Sequence, residues 1–447
     1  MELLEGKMEG MPSPVTVSTK LQRIAELATK APEMAFTSLA HHIDIEFLLE
    51  AYRRTRKDGA TGIDGQTGRQ YEENLVENLE SLLNRLKSGT YKAPPVRRTY
   101  VPKGDGTKTR PIGIPTFEDK VLQRAVAMIL EAVYEQDFLD CSYGYRPGRS
   151  AHQALDELWK KLMAMGGGWV LELDIQKFFD TLDHGHLRSF LEQRVRDGVI
   201  RRVIDKWLKA GIMEEGAVRS PEVGTPQGGV VSPILANIYL HEVLDLWFER
   251  DVVPRLYGRA FLIRYADDAV LVFSSEKDAR RVMKVLPKRF GKYGLTLHPE
   301  KTKLVDFKGP GDGDREPGSF DLLGFTHLWG KTRKNCWTVQ RHTAKDRFTR
   351  AIKQVKEWCR KNRHLPLKEQ LQSISRKLVG HMQYYGVTGN GRAVSRFFWE
   401  VRGIWRKWLS RCSQRARVSW ERFTRFLSRN PLPRLRVVHS VLCAVKP

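Results

Sequence analysis

The stretch RYADDAVLVF, Arg264 to Phe273, constrains this chain more than any other, because it sets two adjacent carboxylates inside an apolar, β-branched run. A strand of that composition belongs in a core, and an unpartnered carboxylate in a core is expensive. One resolution is local: Asp-Asp makes a tight turn between the strands FLIRY and AVLVF, since Asp tolerates turn backbones and bonds its own main chain. The other is chemical. Asp174 interrupts a second apolar strand, WVLELDI, so three aspartates at strand ends ask for a common counter-charge. Hard divalent cations take oxygen ligands, and Mg²⁺ typically uses one or two protein carboxylates together with substrate phosphates. Consecutive strand residues point to opposite faces, so only one of Asp267 and Asp268 readily shares an ion with Asp174. Asp267 is the expected direct partner and Asp268 the supporting one.

Charge is the second constraint. The 447-residue chain is long enough for two or three domains, and its net charge of +24 is unevenly spread. From Lys331 to Pro447 there are 29 Lys and Arg against 5 Asp and Glu, a surplus equal to that of the whole chain. A neutral body therefore carries a strongly basic tail. A merely soluble face normally mixes both signs, so the natural partner is a polyanion whose condensed counterions Lys and Arg displace. An anionic membrane surface is the competing partner. No run approaches the roughly 18 apolar residues of a span, and the N-terminus lacks a basic-then-apolar signal pattern. Cys141, Cys336, Cys359, Cys412 and Cys443 are scattered, with no Cys-x-x-Cys pair. That argues against a zinc site or a disulfide framework and fits a reducing cytoplasm.

The periodicities place these features. Residues 1 to about 17 read as a flexible leader, and Ser18 to Ala60 is helical in pattern, with Leu21, Ile24, Leu27 and then Ile45, Leu48 and Leu49 recurring. A helix is expected over about Tyr71–Lys87, a hairpin over Arg97–Pro115 turning on Gly104-Asp-Gly106, and a helix over about Glu118–Tyr134. The strand WVLELDI follows three glycines. Beyond the loop VGTPQGGVVSP come a helix over about Ile234–Glu249, the Asp-Asp hairpin, and a helix over about Lys277–Tyr293. Short strands are expected in LTLHPEKTKLVDF and FDLLGFTHLW, then helices near Thr343–Lys361, Leu367–Tyr385 and Gly391–Leu427. The order is neither all-α nor a regular βα alternation, so the body is α+β. The loop TPQGGVVSP offers bare backbone at Gly228-Gly229 before a Ser-Pro helix start; it suits close approach of a nucleotide, and equally a plain strand-to-helix connection.

The ordered set of Asp174 on its strand, the loop from Gln227 to Pro233, and Tyr265 to Asp268 resembles the palm motifs of reverse transcriptases. SYGYRPGRSAHQAL, GTPQGGVVSPILANIYL, GLTLHPEKTKL and FDLLGF resemble, more closely, bacterial group II intron reverse transcriptase/maturases, from about Leu21 to the C-terminus. The resemblance implies a right-hand polymerase. Its divisions would be an N-terminal extension over residues 1–65, fingers and palm over 66–330, an α-helical thumb or maturase X domain over 331–427, and a basic tail over 428–447. In such enzymes two metal ions, Mg²⁺ or alternatively Mn²⁺, hold the attacking primer 3′-oxygen and the nucleotide phosphates in line. Asp174 and Asp267 match the metal-binding carboxylates, Asp268 the second carboxylate of the turn, and Ile175 the neighbour whose backbone carbonyl assists. Lys103 and Arg110 match basic residues that grip the incoming triphosphate, Gln227 a residue lining the nucleotide pocket, and Phe179 the aromatic that rejects a ribose 2′-hydroxyl. Core packing is the other role open to Phe179, and Phe178 beside it competes for the same task. YGYRPGRS, with Arg146, lies along the template or forms a structural turn.

In the tail, Val394, Phe397/Phe398, Val401, Ile404/Trp405, Trp408 and Cys412 recur on one helical face. Arg402 and Arg406, and Lys407, Arg411 and Arg415, repeat at intervals of four and make a cationic stripe. The aromatics serve as core or stack on bases. By resemblance this is the thumb, which holds intron RNA and the template–primer duplex, and RKLVGHMQYYG resembles its motif. The chain ends without the His/Cys cluster of an endonuclease, so it resembles the endonuclease-lacking branch, which takes its primer from elsewhere. The expected function is RNA-templated DNA synthesis with assistance to intron splicing. Two others compete: a non-catalytic RNA-binding splicing cofactor, and a domesticated defence or repair reverse transcriptase. Three core carboxylates favour an enzyme over a pure binder.

Overall fold

The structure is a computed structural model that describes residues 14–103, 108–214, 217–219, 228–310, 317–332, 334–411 and 418–439. Helix α1 (Pro14–Lys30) begins inside the expected leader, whose residues 1–13 lie outside the described ones. Helix α2 (Ile45–Arg54) starts where Asp44 accepts a hydrogen bond from the Phe47 N–H, an N-cap that satisfies one of the orphan donors of the first turn. The single helix expected over Tyr71–Lys87 is two, α3 (Gly68–Glu73) and α4 (Leu75–Lys87), because Asn74 at φ −124°, ψ 43° leaves helical space. Strands β1 (Val96–Lys103) and β2 (Lys108–Ile114) pair antiparallel, with Lys103 opposite Lys108; the glycines expected to turn them lie outside the described residues.

Helix α5 (Phe117–Tyr134), capped by Thr116, is apolar nearly all round and correspondingly buried. Then come α6 (Ala151–Met165), β3 (Trp169–Leu173), α7 (Phe178–Thr181), α8 (His184–Arg194), α9 (Gly198–Leu208) and the short strands β4 (Ile212–Glu214) and β5 (Ala217–Arg219). Helix α10 (Ser232–Leu240) starts at Ser232-Pro233 and then widens: residues 241–245 and 247–252 are π-helical, with the Leu246 N–H donating to the His241 carbonyl five residues back. Strands β6 (Ala260–Tyr265) and β7 (Asp268–Phe273) form the expected hairpin, and α11 (Glu276–Lys292) follows. The remainder is β8 (Lys303–Asp306), β9 (Phe320–Leu322), β10 (Phe325–Lys331), β11 (Trp337–Thr343), α12 (Lys345–Lys361), α13 (Leu367–Tyr385), α14 (Gly391–Leu409) and α15 (Trp420–Arg429). Mixed helix and sheet in this order is the expected α+β class.

The sheets run β2-β1-β4-β5, β6-β7-β3-β8 and β11-β10-β9. The chain divides into two compact units, one comprising Met1–Ala154, Leu173–Leu271 and Arg280–Lys303, the other Leu155–Glu172, Val272–Ala279 and Leu304–Pro447. In the first, α5 is wrapped by α1, α2 and α10. In the second, α12 to α15 share a core in which Val394, Phe397, Val401, Trp405 and Trp408 of α14 meet Val355, Cys359, Ile374, Leu378, Met382 and Phe423. Among the described residues no helix is long and apolar enough to cross a membrane.

Candidate active site

The three aspartates occupy three different backbone settings. Asp174 directly follows β3, Asp267 is the second residue of the two-residue turn joining β6 to β7, and Asp268 opens β7. Strand alternation therefore does not separate Asp267 from Asp268, as the sequence had suggested; the turn does, with Ala266 in the left-handed region at φ 57°. Strand β7 neighbours β3 in the sheet, and Gly168, one residue ahead of β3, would carry a Cβ 2.5 Å from the carbonyl oxygen of Phe273, the last residue of β7. β3 thus starts where β7 ends. Asp174 and Asp267 are half-buried and Asp268 is exposed.

Asp174 is held from its other side by the segment Leu297–Thr302. Its carbonyl accepts from the His298 N–H at 2.8 Å, Ile175 bridges Leu297, and the Lys301 ammonium bonds the Asp174 carboxylate at 2.9 Å. Lys301 lies in GLTLHPEKTKL, yet nothing in its spacing gave it a role. Its side chain is 60% exposed, so it supplies a movable counter-charge and not a buried lock.

The carboxylate turn rests on a buried polar clamp. Arg264 is fully buried; its guanidinium pairs with both carboxylate oxygens of Asp245, the first at 2.7 Å, and also donates to the Ala266 carbonyl at 3.1 Å and to Asn237 Oδ1 at 3.0 Å. Burial alone would raise the Asp245 carboxyl, but Arg264 and His241 outweigh it and hold the group below its ordinary range. Asp245 closes the first π-helical segment, a wide turn of the kind that recurs at functional sites. Asn237 completes the clamp by donating to the Gly144 carbonyl at 2.7 Å. Gly144 is glycine for a steric reason: a Cβ there would lie 2.2 Å from the Ala266 nitrogen. The loop SYGYRPGRS and the carboxylate turn are thus pressed together and tied to one buried ion pair. Sequence reasoning missed Asp245, Asn237 and Arg264, although Arg264 heads the most constrained stretch of the chain.

Other expected site residues have varied positions. Arg110 is exposed on β2, opposite Val101, and Lys103 ends β1. Gln227 lies outside the described residues. The loop resumes at Gly228, whose φ of 122° and close approach to the Gly113 carbonyl exclude a side chain. Its next residues are anchored by Gln123, whose Oε1 accepts from the Val230 N–H at 2.7 Å. Gln123 in turn donates to Asp119 at 2.9 Å, and Asp119 also receives Trp207 Nε1 at 2.7 Å and the Tyr91 hydroxyl. Burial pushes the Asp119 carboxyl up to about 6 in spite of these three donors. Phe178 and Phe179 meet edge to face with centroids 5.3 Å apart, and Phe178 continues inward onto Tyr239. Both rings are buried, Phe179 slightly less than Phe178.

Arg146 requires a correction. Offered by the sequence as a nucleic-acid contact, it is 7% exposed; its guanidinium pairs with Glu135 at 3.0 Å and donates to the carbonyls of Leu139 and Ser142 at 2.8 and 2.9 Å. It organises the loop from within. On α14, the Arg402 guanidinium lies over Trp399 at 4.4 Å and Arg406 over Trp420 at 4.3 Å, with Arg406 also bonded to the Val418 carbonyl. Lys407 and Arg411 are exposed, and Arg415 lies outside the described residues.

Residues 101–327 match the family described as reverse transcriptase (RNA-dependent DNA polymerase). The chain is 38% identical over 246 residues to the group II intron-encoded protein LtrA of Lactococcus lactis, covering 53% of this chain and 40% of that one. It is 33% identical over 330 residues to protein YkfC of Escherichia coli, covering 64% of this chain and 84% of YkfC. Nuclear intron maturase 2 of Arabidopsis thaliana is 27% identical over 277 residues, 50% of this chain and 37% of that protein. The chain thus spans two fifths of the length of the Lactococcus relative and most of the Escherichia one. With a match across half its length, on the segment that carries all three aspartates, this chain belongs to the reverse transcriptase family, in its group II intron reverse transcriptase/maturase branch.

Proposed function

We propose that this protein is an RNA-directed DNA polymerase that extends a DNA primer on an RNA template and binds group II intron RNA to assist splicing and mobility. The observation that supports the proposal is that Asp174 directly follows β3 and Asp267 directly precedes β7, so two carboxylates from separate segments stand at the ends of neighbouring strands. Their donor chemistry fits a hard divalent cation, with Asp268 and the Ile175 carbonyl as further oxygens. Among the described residues no three His, Cys, Asp or Glu side chains gather closely enough to hold an ion alone. Mg²⁺ commonly completes its shell with substrate phosphates and water. When bound there, two such ions would lower the barrier to attack of the primer 3′-oxygen on the nucleotide α-phosphate.

The protein's own part is to orient. Asp174 and Asp267 would hold the cations toward which the triphosphate is drawn, and the Arg264 clamp keeps the turn from relaxing. Lys103, Arg110 and Gln227 act on the deoxynucleoside triphosphate, and Phe179 polices the 2′-position. Lys301, exposed and flexible, balances the Asp174 charge and yields it as substrate arrives. Lys407, Arg411 and Arg415 meet RNA phosphate, and Arg402 and Arg406 shape the same face. The names of the intron-encoded and maturase relatives support intron RNA as the partner. Primer extension on an RNA template, with and without Mg²⁺, tests the proposal. Activity is expected only with the metal and only while Asp267 is intact; RNA binding without any extension would leave a splicing cofactor instead.

A further inference from the structure

We propose, resting on the polymerase function above, that Tyr145 is the stacking platform for a nucleobase at the carboxylate turn. Three observations carry this. The first is strain. Tyr145 is held at φ 58°, in the left-handed region that a bulky side chain rarely adopts. Of the five non-glycine residues in that region among those described, Tyr145, Ala266 and Lys177 all stand within a few residues of the aspartates or against the turn. Strain of this kind clusters where the surrounding structure over-determines a functional geometry. The second is the device that maintains it. Gly144 is pinned under the Tyr265–Ala266 backbone and by Asn237, and Arg146 is locked from within by Glu135 and two carbonyls. The Tyr145 backbone is therefore held from both sides.

The third is exposure. Tyr145 is 51% exposed, although its neighbours Gly144 and Arg146 are buried. Asp267, Arg110, Tyr265 and Asp268 are all near enough to bear on its hydroxyl, which puts it beside the carboxylate turn. Its exposed ring is presented beside the carboxylate turn, within reach of a base if phosphate chemistry occurs at Asp174 and Asp267. Base-on-aromatic stacking accepts every base, as a polymerase requires. The base belongs either to the incoming nucleotide or to the template–primer end.

The test uses the full chain with Tyr145→Phe, Tyr145→Ala and Tyr145→Asn. Three quantities are measured: KM for a deoxynucleotide in single-nucleotide extension, Kd for an RNA–DNA template–primer by fluorescence anisotropy, and Tm. Tyr145→Phe should match the wild type. Tyr145→Ala should raise one of the two constants by about tenfold, KM if the incoming base is stacked and Kd if the template–primer is. Tyr145→Asn, a residue that tolerates the left-handed region, should lose binding equally while melting no lower than wild type. That combination is not produced by a merely structural role. If the folded Ala variant keeps both constants within twofold, or if Phe loses as much as Ala, the platform is refuted. Because Kd is read without chemistry, a failure of the polymerase proposal, seen as no extension by wild type, remains distinguishable.

Discussion

The carboxylate turn and the basic tail are both charged, and they use charge in opposite ways. At the turn the buried cations have named partners and fixed places: Arg264 on Asp245, Asn237 and Ala266, and Arg146 on Glu135 and two carbonyls. In α14 the fixed part is apolar, a seam of Val394, Phe397, Val401, Trp405 and Trp408, while Lys407 and the following Arg411 are exposed. Arg402 and Arg406 fall between, lying over the exposed rings of Trp399 and Trp420. The difference teaches that positive charge serves geometry where it is buried and affinity where it is exposed. The first is intolerant of single changes; the second should respond in small increments.

The comparison can be broken at several points. Asp267→Asn should lower primer-extension kcat by at least about a thousandfold, the scale of losing a preorganised electrostatic group, with Tm unchanged. Undiminished extension would move the chemistry elsewhere. Asp245→Ala leaves the Arg264 charge buried without its partner and should destabilise the fold by about 3–5 kcal/mol in denaturant titration. Arg411→Ala should stay within about 0.5 kcal/mol. Equal effects would erase the distinction between buried and exposed cations.

Neutralising Lys407, Arg411 and Arg415 together should flatten the salt dependence of RNA binding, by about 0.7–0.9 in slope for each phosphate that the stripe no longer neutralises. Arg146→Ala should leave that slope alone and lower stability instead. The smallest effect concerns pH. Asp119 is protonated in the fold up to about 6, well above the ordinary carboxylate range, so the folded state binds more protons across that window. Its contribution is therefore full at low pH and lost as pH rises through about 6. Asp119→Asn should flatten stability against pH between about 4 and 6. An unchanged profile would assign the titration to another group.

Much of the architecture was legible because it is written in local periodicity. Helix α13 has the bounds expected, Leu367 and Tyr385, and the apolar face of α14 is the one buried. The misses have physical causes. Asn74 breaks a helix that an amphipathic pattern continues through, and the π-helical segments after Leu240 keep a helical pattern while changing its pitch. Strand β11, WTVQRHT, has only Trp337 and Val339 as apolar residues, too few to announce a strand, and its pairing comes from β10 alone. Strand alternation assigns Asp267 to one face of a strand, but the residue sits in the turn, where alternation does not apply.

What the sequence determined by itself was chemical identity and order: three carboxylates interrupting two apolar strands, and a surplus of cations gathered in one stretch. Residue type and local spacing suffice for that, since the cost of a carboxylate among apolar neighbours does not depend on the rest of the fold. Only the tertiary structure decided which charges work inside and which outside. Arg146 and Arg411 are the same side chain, and neither spacing nor composition distinguishes them. Partners from distant segments do, by closing hydrogen bonds around one guanidinium, while the other stays exposed over the ring of its near neighbour Trp408.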